Sequence, residues 1–303
     1  MTWHHGSMDA RFGRVLTAMV TPFHEDGSLD LDGAQALASH LTTAGGNHGL
    51  VIAGTTGESP TLTHDEQISL VKAVVEAIDG TVIAGAGSND TRAAVELTKR
   101  ATAAGAHGIL QVAPYYNRPH QAGLSEHFRA CAAATDLPLL LYDIPGRTGR
   151  KIATETMVDL FADVENIVGV KDAAGNPGET ARMLSIAPDG TEVYSGDDPL
   201  TLPLLAIGAV GIIGVATHWI GNEIAEMMNA FFAGDIEKAA AINRRLVPSY
   251  GFETGDLAPN PIPTKAMMRV LGLPGGPTRM PMSPEPDFVE AEAKTVLADL
   301  GRA

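Results

Sequence analysis

Eight short apolar runs rich in Val, Ile and Leu recur along the chain, at residues 15–20, 49–53, 81–84, 108–113, 137–142, 167–171, 192–195 and 211–215. Each is continuous rather than alternating, the pattern of strands buried on both faces, as in a parallel sheet flanked by helices. The stretches between them carry helical period. In 65–78, Ile68, Val71, Val75 and Ile78 fall on one face, and Thr63 followed by Glu66 has the spacing of a capping box. A joint repeats as well: 44–50, 104–109 and 207–212 each read as a helix end, a left-handed glycine, a tight turn and a buried strand. Strand and helix alternating eight times predict an α/β fold, a (β/α)8 TIM barrel over residues 13–220. A doubly wound open sheet would need a glycine-rich phosphate loop after its first strand. Here that strand runs into Thr21-Pro22-Phe23, and 85–90 offers GxG without a third glycine, so the barrel is preferred.

Beyond residue 220 the strand signal stops. Helical periods at 222–232, 235–246, 264–271 and 284–300 predict a C-terminal helical extension over 221–303. No low-complexity linker precedes it, so it should pack on the barrel. Residues 1–12, with His4, His5, Gly6, Ser7 and Met8, read as a flexible lead-in without the basic-then-apolar order of a signal peptide. A chain of 303 residues buries enough surface to fold without a metal or a disulfide. Its single cysteine, Cys131, excludes an intrachain disulfide and a CxxC metal framework, and suits a reducing cytoplasm. Net charge is −15, from 36 acidic and 21 basic residues with no dense basic run, which argues against nucleic acid as a partner. No apolar run reaches the ~18–20 residues of a membrane span.

In barrels of this kind the reacting groups gather where strands end, on the face built by the βα loops. Five such ends are rich in chemistry: Gly54-Thr55-Thr56-Gly57-Glu58-Ser59, Pro114-Tyr115-Tyr116-Asn117, Tyr142-Asp143-Ile144-Pro145-Gly146-Arg147-Thr148, Lys171-Asp172, and Ser195-Gly196-Asp197-Asp198. Lys171 stands apart because it closes a strand of Ile, Val and Gly. Lys72, Lys99, Lys151, Lys238, Lys265 and Lys294 fall in helical or loop contexts where a solvated ammonium is expected. Desolvation disfavours an ammonium, and an uncharged amine can add to a ketone to form an imine. The plainer reading of Lys171 is an ion pair with Asp172 or Asp197. Tyr142 ends the neighbouring strand, where a phenol can shuttle protons or simply pack. Thr55 and Thr56 sit in a glycine-flanked turn that can cradle a carboxylate or merely cap a helix. Tyr115 and Tyr116 also read as an interface patch, and Arg147 as either a carboxylate clamp or a surface ion-pair residue. His48 and His107 begin strands, on the opposite face. No HExxH and no strand-end His pair suggests a metal, and no GxSxG elbow suggests a serine nucleophile.

Taken in order, these segments resemble the pyruvate-dependent, class I aldolase-like family that includes N-acetylneuraminate lyase. Within it they are most similar to the branch that condenses pyruvate with L-aspartate 4-semialdehyde. The likeness runs from about residue 13 to 300. Residues 54–59 resemble the GTTGES segment, 114–119 the PYYN(K/R)P run, 142–148 the YN(V/I)P(S/G)RT motif, 169–173 the Schiff-base strand, and 195–198 the SGDD turn. Asn260-Pro261-Ile262-Pro263-Thr264-Lys265 matches a motif of the helical extension, and Asp143 stands where the family pattern has Asn.

The resemblance implies roles for these residues. Lys171 would form the imine with pyruvate, and Tyr142 would pass protons through Thr56 and Tyr116. The last of these would be donated across a dimer interface, in a homotetramer built as a dimer of dimers. Thr55 and Thr56 would hold the pyruvate carboxylate, helped by the backbone at Gly196 and Ile213. Arg147 would bind the carboxylate of L-aspartate 4-semialdehyde. The product would be 4-hydroxy-tetrahydrodipicolinate, on the route to diaminopimelate and lysine, with no cofactor and no metal. Alternatives are an N-acetylneuraminate or 2-keto-3-deoxy sugar-acid aldolase of the same family, and a non-catalytic keto-acid-binding barrel. Ser59, His64, Asn89 and Tyr115 match the feedback site of lysine-sensitive relatives. Gln67 and Ala93 replace its histidine and glutamate, so lysine should inhibit weakly or not at all.

Overall fold

The computed structural model describes residues 10–302. The expected lead-in at 1–9 lies outside the described residues. Strands β1 (Val15–Ala18), β2 (Gly49–Ile52), β3 (Thr81–Gly85), β4 (Gly108–Val112), β5 (Leu139–Asp143), β6 (Ile167–Asp172), β7 (Glu192–Ser195) and β8 (Gly211–Gly214) follow one another around a closed parallel barrel. Helices α1 (Leu31–Thr43), α2 (His64–Ala77), α3 (Thr91–Ala103), α4 (Gln121–Ala132), α5 (Pro145–Thr148), α6 (Thr154–Asp163), α7 (Pro177–Ile186), α8 (Thr201–Leu205) and α9 (Thr217–Phe232) connect and surround the strands. Three more, α10 (Ile236–Phe252), α11 (Ile262–Val270) and α12 (Val289–Asp299), complete the chain. The (β/α)8 barrel with C-terminal helices read from the sequence is the observed fold. No helix of the described residues is long and apolar enough to cross a membrane.

Local sequence explains the elements. The Thr63 hydroxyl accepts from Glu66 N–H at 3.2 Å while the Glu66 carboxylate accepts from Thr63 N–H at 2.8 Å, so both halves of the capping box start α2. In the repeated joint, Gly46, Gly105 and Gly208 take φ of 74°, 90° and 112°, which only glycine adopts without strain. His48 and His107 open their strands with structural bonds. Their Nδ1 atoms accept from the Val15 and Val82 N–H groups, at 3.3 and 3.0 Å.

The barrel interior is filled by Leu16, Ala18, Val51, Ile83, Leu110, Leu140, Tyr142, Tyr194 and Ile213. Residues 10–12, assigned to the lead-in, close the barrel floor instead: Phe12 is buried, and its N–H donates to the Tyr194 hydroxyl at 3.3 Å. The outward faces of the strands join the helices in a second, larger core. β6 departs from simple alternation. Ile167 pairs with Leu139 but Gly169 pairs with Leu140, leaving Val168 as an extra residue. Such a bulge shifts the facing of every later side chain in the strand. Ile167 and Val170 therefore pack toward the helices, while Lys171 aligns with the inward-facing Tyr142.

Beyond β8, the chain enters α9, which packs against β1 as the eighth barrel helix. The border expected at residue 220 falls inside this helix, at a kink where Ile220 leaves helical geometry. Helix α10 runs past the expected end at 246 and through Pro248, because Leu246, Tyr250 and Phe252 bury there against α9. The helix expected over 284–300 begins only at Val289. Pro284 and Pro286 lack N–H groups, and Glu285 is taken by Thr278 N–H at 3.0 Å and Arg269 at 2.6 Å.

Candidate active site

The register of β5 and β6 sets Tyr142 directly opposite Lys171, and that of β6 and β7 sets Lys171 opposite Tyr194. Lys171 is 4% exposed and Tyr142 5%, and the Lys171 Nζ lies 4.4 Å from the centre of the Tyr142 ring. Among the described residues no carboxylate oxygen comes within 4.0 Å of that Nζ. The ion pair with Asp172 or Asp197 considered above is therefore not formed. Asp172 alternates to the outer face, where its oxygens accept from Ala174 N–H at 2.9 Å and from the Thr180 hydroxyl. Gly196 makes room for the lysine, since a Cβ there would stand 2.9 Å from Lys171 Cγ and Cε.

Behind the lysine, Asp198 is wholly buried and accepts from Val215 and Ala216 N–H at 2.9 and 3.0 Å, tying the β7 turn to the end of β8. Burial pushes its carboxyl up to about 6, and burial together with Asp198 and Asp197 pushes Glu253 well above the usual carboxylate range. Ile213 lines the interior of β8 beside Leu16.

The β2 loop supplies Thr55, half-buried, and Thr56, buried. Thr56 Oγ1 accepts from Asn260 Nδ2 at 2.9 Å, the Asn260 carbonyl accepts from Arg147 Nη2 at 3.3 Å, and Asn260 Oδ1 accepts from the Thr264 hydroxyl at 3.2 Å. One residue of the extension thus joins two candidate groups of the barrel rim. The sequence reading placed Asn260 in a motif but gave it no role; only the chain's return over the rim reveals it. The same loop holds Glu58 at φ 57°, its carboxylate 2.6 Å from Lys265 Nζ. The expectation of a solvated Lys265 is overturned: the residue is 0% exposed, on the inward face of α11, and also donates to the Pro277 carbonyl at 2.7 Å. Lys265 Nζ and Arg279 Cζ both lie over the Phe23 ring, 4.1 and 4.2 Å from its centre. Two buried lysines therefore differ in kind. Lys265 is neutralised by a carboxylate, and Lys171 faces a phenol.

Tyr116 is not brought to this group within one chain. It is 90% exposed and held at φ 71°, and Arg118 two residues on is also left-handed at 48°. Non-glycine residues in that region carry strain and cluster where it serves a function. Arg147 is exposed on the short helix α5. Tyr142 and Thr55 border a small rim cavity of roughly 30 Å³ with Ser59, Gly85 and Val112. Among the described residues no cluster of His, Cys, Asp and Glu is arranged to hold a metal ion.

A closed parallel barrel that presents a desolvated lysine at the rim of its sixth strand, against a tyrosine of its fifth, falls in the class of (β/α)8 proteins built for chemistry at the C-terminal face. The chain matches the dihydrodipicolinate synthetase family over residues 11–300, and it belongs to that family. A 4-hydroxy-tetrahydrodipicolinate synthase of Acidothermus cellulolyticus is 54% identical over 277 residues, 90% of this chain and 87% of that protein. One from Moorella thermoacetica is 51% identical over 274 residues, 90% of this chain and 92% of that one. Among solved structures, that of DHDPS from Cyanidioschyzon merolae with lysine bound superimposes with a TM-score of 0.93 at 44% identity, covering 96% of this chain and 99% of that chain.

Proposed function

We propose that this chain is a lyase that condenses pyruvate with L-aspartate 4-semialdehyde to give 4-hydroxy-tetrahydrodipicolinate. The observation that carries the reading is Lys171, buried without a carboxylate partner and paired in register with Tyr142. Lys171 Nζ adds to C2 of pyruvate, and loss of water from the carbinolamine gives the imine. Loss of a methyl proton gives an enamine, whose carbon attacks the aldehyde carbon of the second substrate. The amine of that substrate then attacks the former C2, closes the ring and releases Lys171. Tyr142 moves protons in these steps, relayed by Thr56 and by Tyr116.

Thr55 and Thr56 bind the pyruvate carboxylate together with backbone at Gly196 and Ile213, and Arg147 binds the carboxylate of the aldehyde. The exposure and strain of Tyr116 support its insertion into a second copy of the chain, within a homotetramer. A reducing cytoplasm suits the single buried thiol of Cys131. Borohydride treatment in the presence of pyruvate, followed by peptide mass spectrometry, should find the adduct on Lys171. Condensation with L-aspartate 4-semialdehyde should follow, without cleavage of N-acetylneuraminate. Absence of the adduct excludes the imine route, and sialic acid cleavage without condensation moves the chain to another branch.

A further inference from the structure

We propose that Asp143 and Lys151 form an ion-pair clamp that positions the Arg147 loop and so governs binding of the second substrate. The inference rests on the reading of Arg147 given above. Asp143 follows Tyr142 on β5, so strand alternation turns its side chain out of the barrel, into the gap between β5, β6, α6 and α7. It is 1% exposed. Its Oδ1 accepts from Ile152 N–H at 3.1 Å and its Oδ2 receives the Lys151 ammonium, which also donates to the Ile152 carbonyl at 3.1 Å.

The loop is therefore stapled where it leaves the strand and where it returns. Within it the Thr148 hydroxyl donates to the Ile144 and Arg150 carbonyls at 3.1 and 2.9 Å, so α5 carries Arg147 as a braced unit. The other charged groups facing the gap are Asp172 on β6 and Glu179 on α7, beside Thr154 and Thr180. Asp172 is held by Ala174 and Thr180, and Glu179 accepts from the Thr154 hydroxyl at 3.1 Å. Lys151 is the one cation among the residues lining the gap. Burial pushes the Asp143 carboxyl up, Lys151 pulls it down, and Asp172 adds to the upward push. Glu179 is exposed and also pairs with Arg182 on α7 at 3.6 Å, so without Lys151 an ionised Asp143 would be left buried beside Asp172 with no cation. Expelling it would drag Ile152, and with it the Arg147 loop, off the strand end.

The test compares Lys151→Met, Lys151→Arg and the double variant Asp143→Asn with Lys151→Met. Lys151→Met should raise KM for L-aspartate 4-semialdehyde about tenfold. The pyruvate concentration that half-saturates borohydride trapping should stay within about twofold, since a clamp on Arg147 does not touch the imine. Lys151→Arg should preserve the aldehyde KM. The double variant should restore it, because Asn still accepts from Ile152 and needs no cation. An unchanged aldehyde KM in Lys151→Met, or a double variant as impaired as the single, overturns the clamp. Should Lys151→Met not fold, the double variant decides: a near-normal aldehyde KM supports the clamp, and a raised one or failure to fold overturns it. If the unmodified enzyme itself gives no pyruvate adduct, it is the functional reading that falls.

Discussion

An amine 4.4 Å above a phenol ring is in van der Waals reach of the ring but owes its chemistry to the hydroxyl. In the proposed mechanism Tyr142 therefore has two separable duties, walling the lysine and carrying protons. Replacing it with Phe keeps the wall and removes only the proton carrier. Tyr142→Phe is expected to lower kcat by about 10²–10⁴-fold while leaving the borohydride adduct on Lys171 intact. Steady-state kinetics beside mass spectrometry checks this; loss of the adduct would mean that the hydroxyl is already required for the imine. Thr56 shows the same economy of position. Its hydroxyl accepts from Asn260, which leaves its proton directed elsewhere, as a relay requires.

At the scale of elements, the bulge in β6 decides which residues face the barrel axis. Just after it, Gly169 lets β6 approach β7, because a Cβ there would come within 1.9 Å of the Glu192 carbonyl oxygen. Gly169→Ala must push β6 away from β7 at Glu192, two residues before Lys171 aligns with Tyr194. Urea denaturation should show a loss of at least about 1–3 kcal/mol, and pyruvate trapping should slow in parallel. Unaltered stability and trapping would show that β6 accommodates the methyl without moving Lys171.

The start of α2 makes a second prediction. Glu66 completes the capping box and also pairs with Arg279 at 2.6 Å, joining that helix to the segment before α12. The Arg279 guanidinium holds the Glu66 carboxyl down to about 2 from its usual 4.5. A depressed pKa stabilises the folded state above the unfolded value, and the contribution is lost as pH falls from 4.5 toward 2. The urea midpoint should drop across that window, and Glu66→Gln should flatten this part of the drop. Equal slopes in the two proteins would assign the acid sensitivity to other carboxyls.

On the scale of the whole molecule, the extension is part of the rim that carries the candidate site. Asn260 reaches Thr56 and Arg147, while Lys265 and Arg279 grip the loop of Glu58 from the same side. The rim cannot move as a set of independent loops. The residues that match the feedback site of lysine-sensitive relatives make a further prediction. Gln67 spends its Nε2 on the Ser59 carbonyl at 3.0 Å, and Ala93 offers no carboxylate to an ammonium group. Millimolar L-lysine should therefore leave turnover nearly unchanged in a coupled assay of the purified enzyme. Strong inhibition would show that the effector is held by other groups.

The barrel was legible in the sequence because its signals are local: continuous apolar runs, a capping box and glycine joints each act within a few residues. The rim groups were legible for a related reason, since a strand end is a local feature and the fold assigns it a face. Which way each side chain points along β6 was not legible, because a run buried on both faces carries no alternation, and the bulge appears only in the pairing of β6 with β5. The burial of Lys265 and the reach of Asn260 were equally hidden. Both depend on a chain that returns more than 200 residues later to the same loop, a contact that only the closed barrel creates.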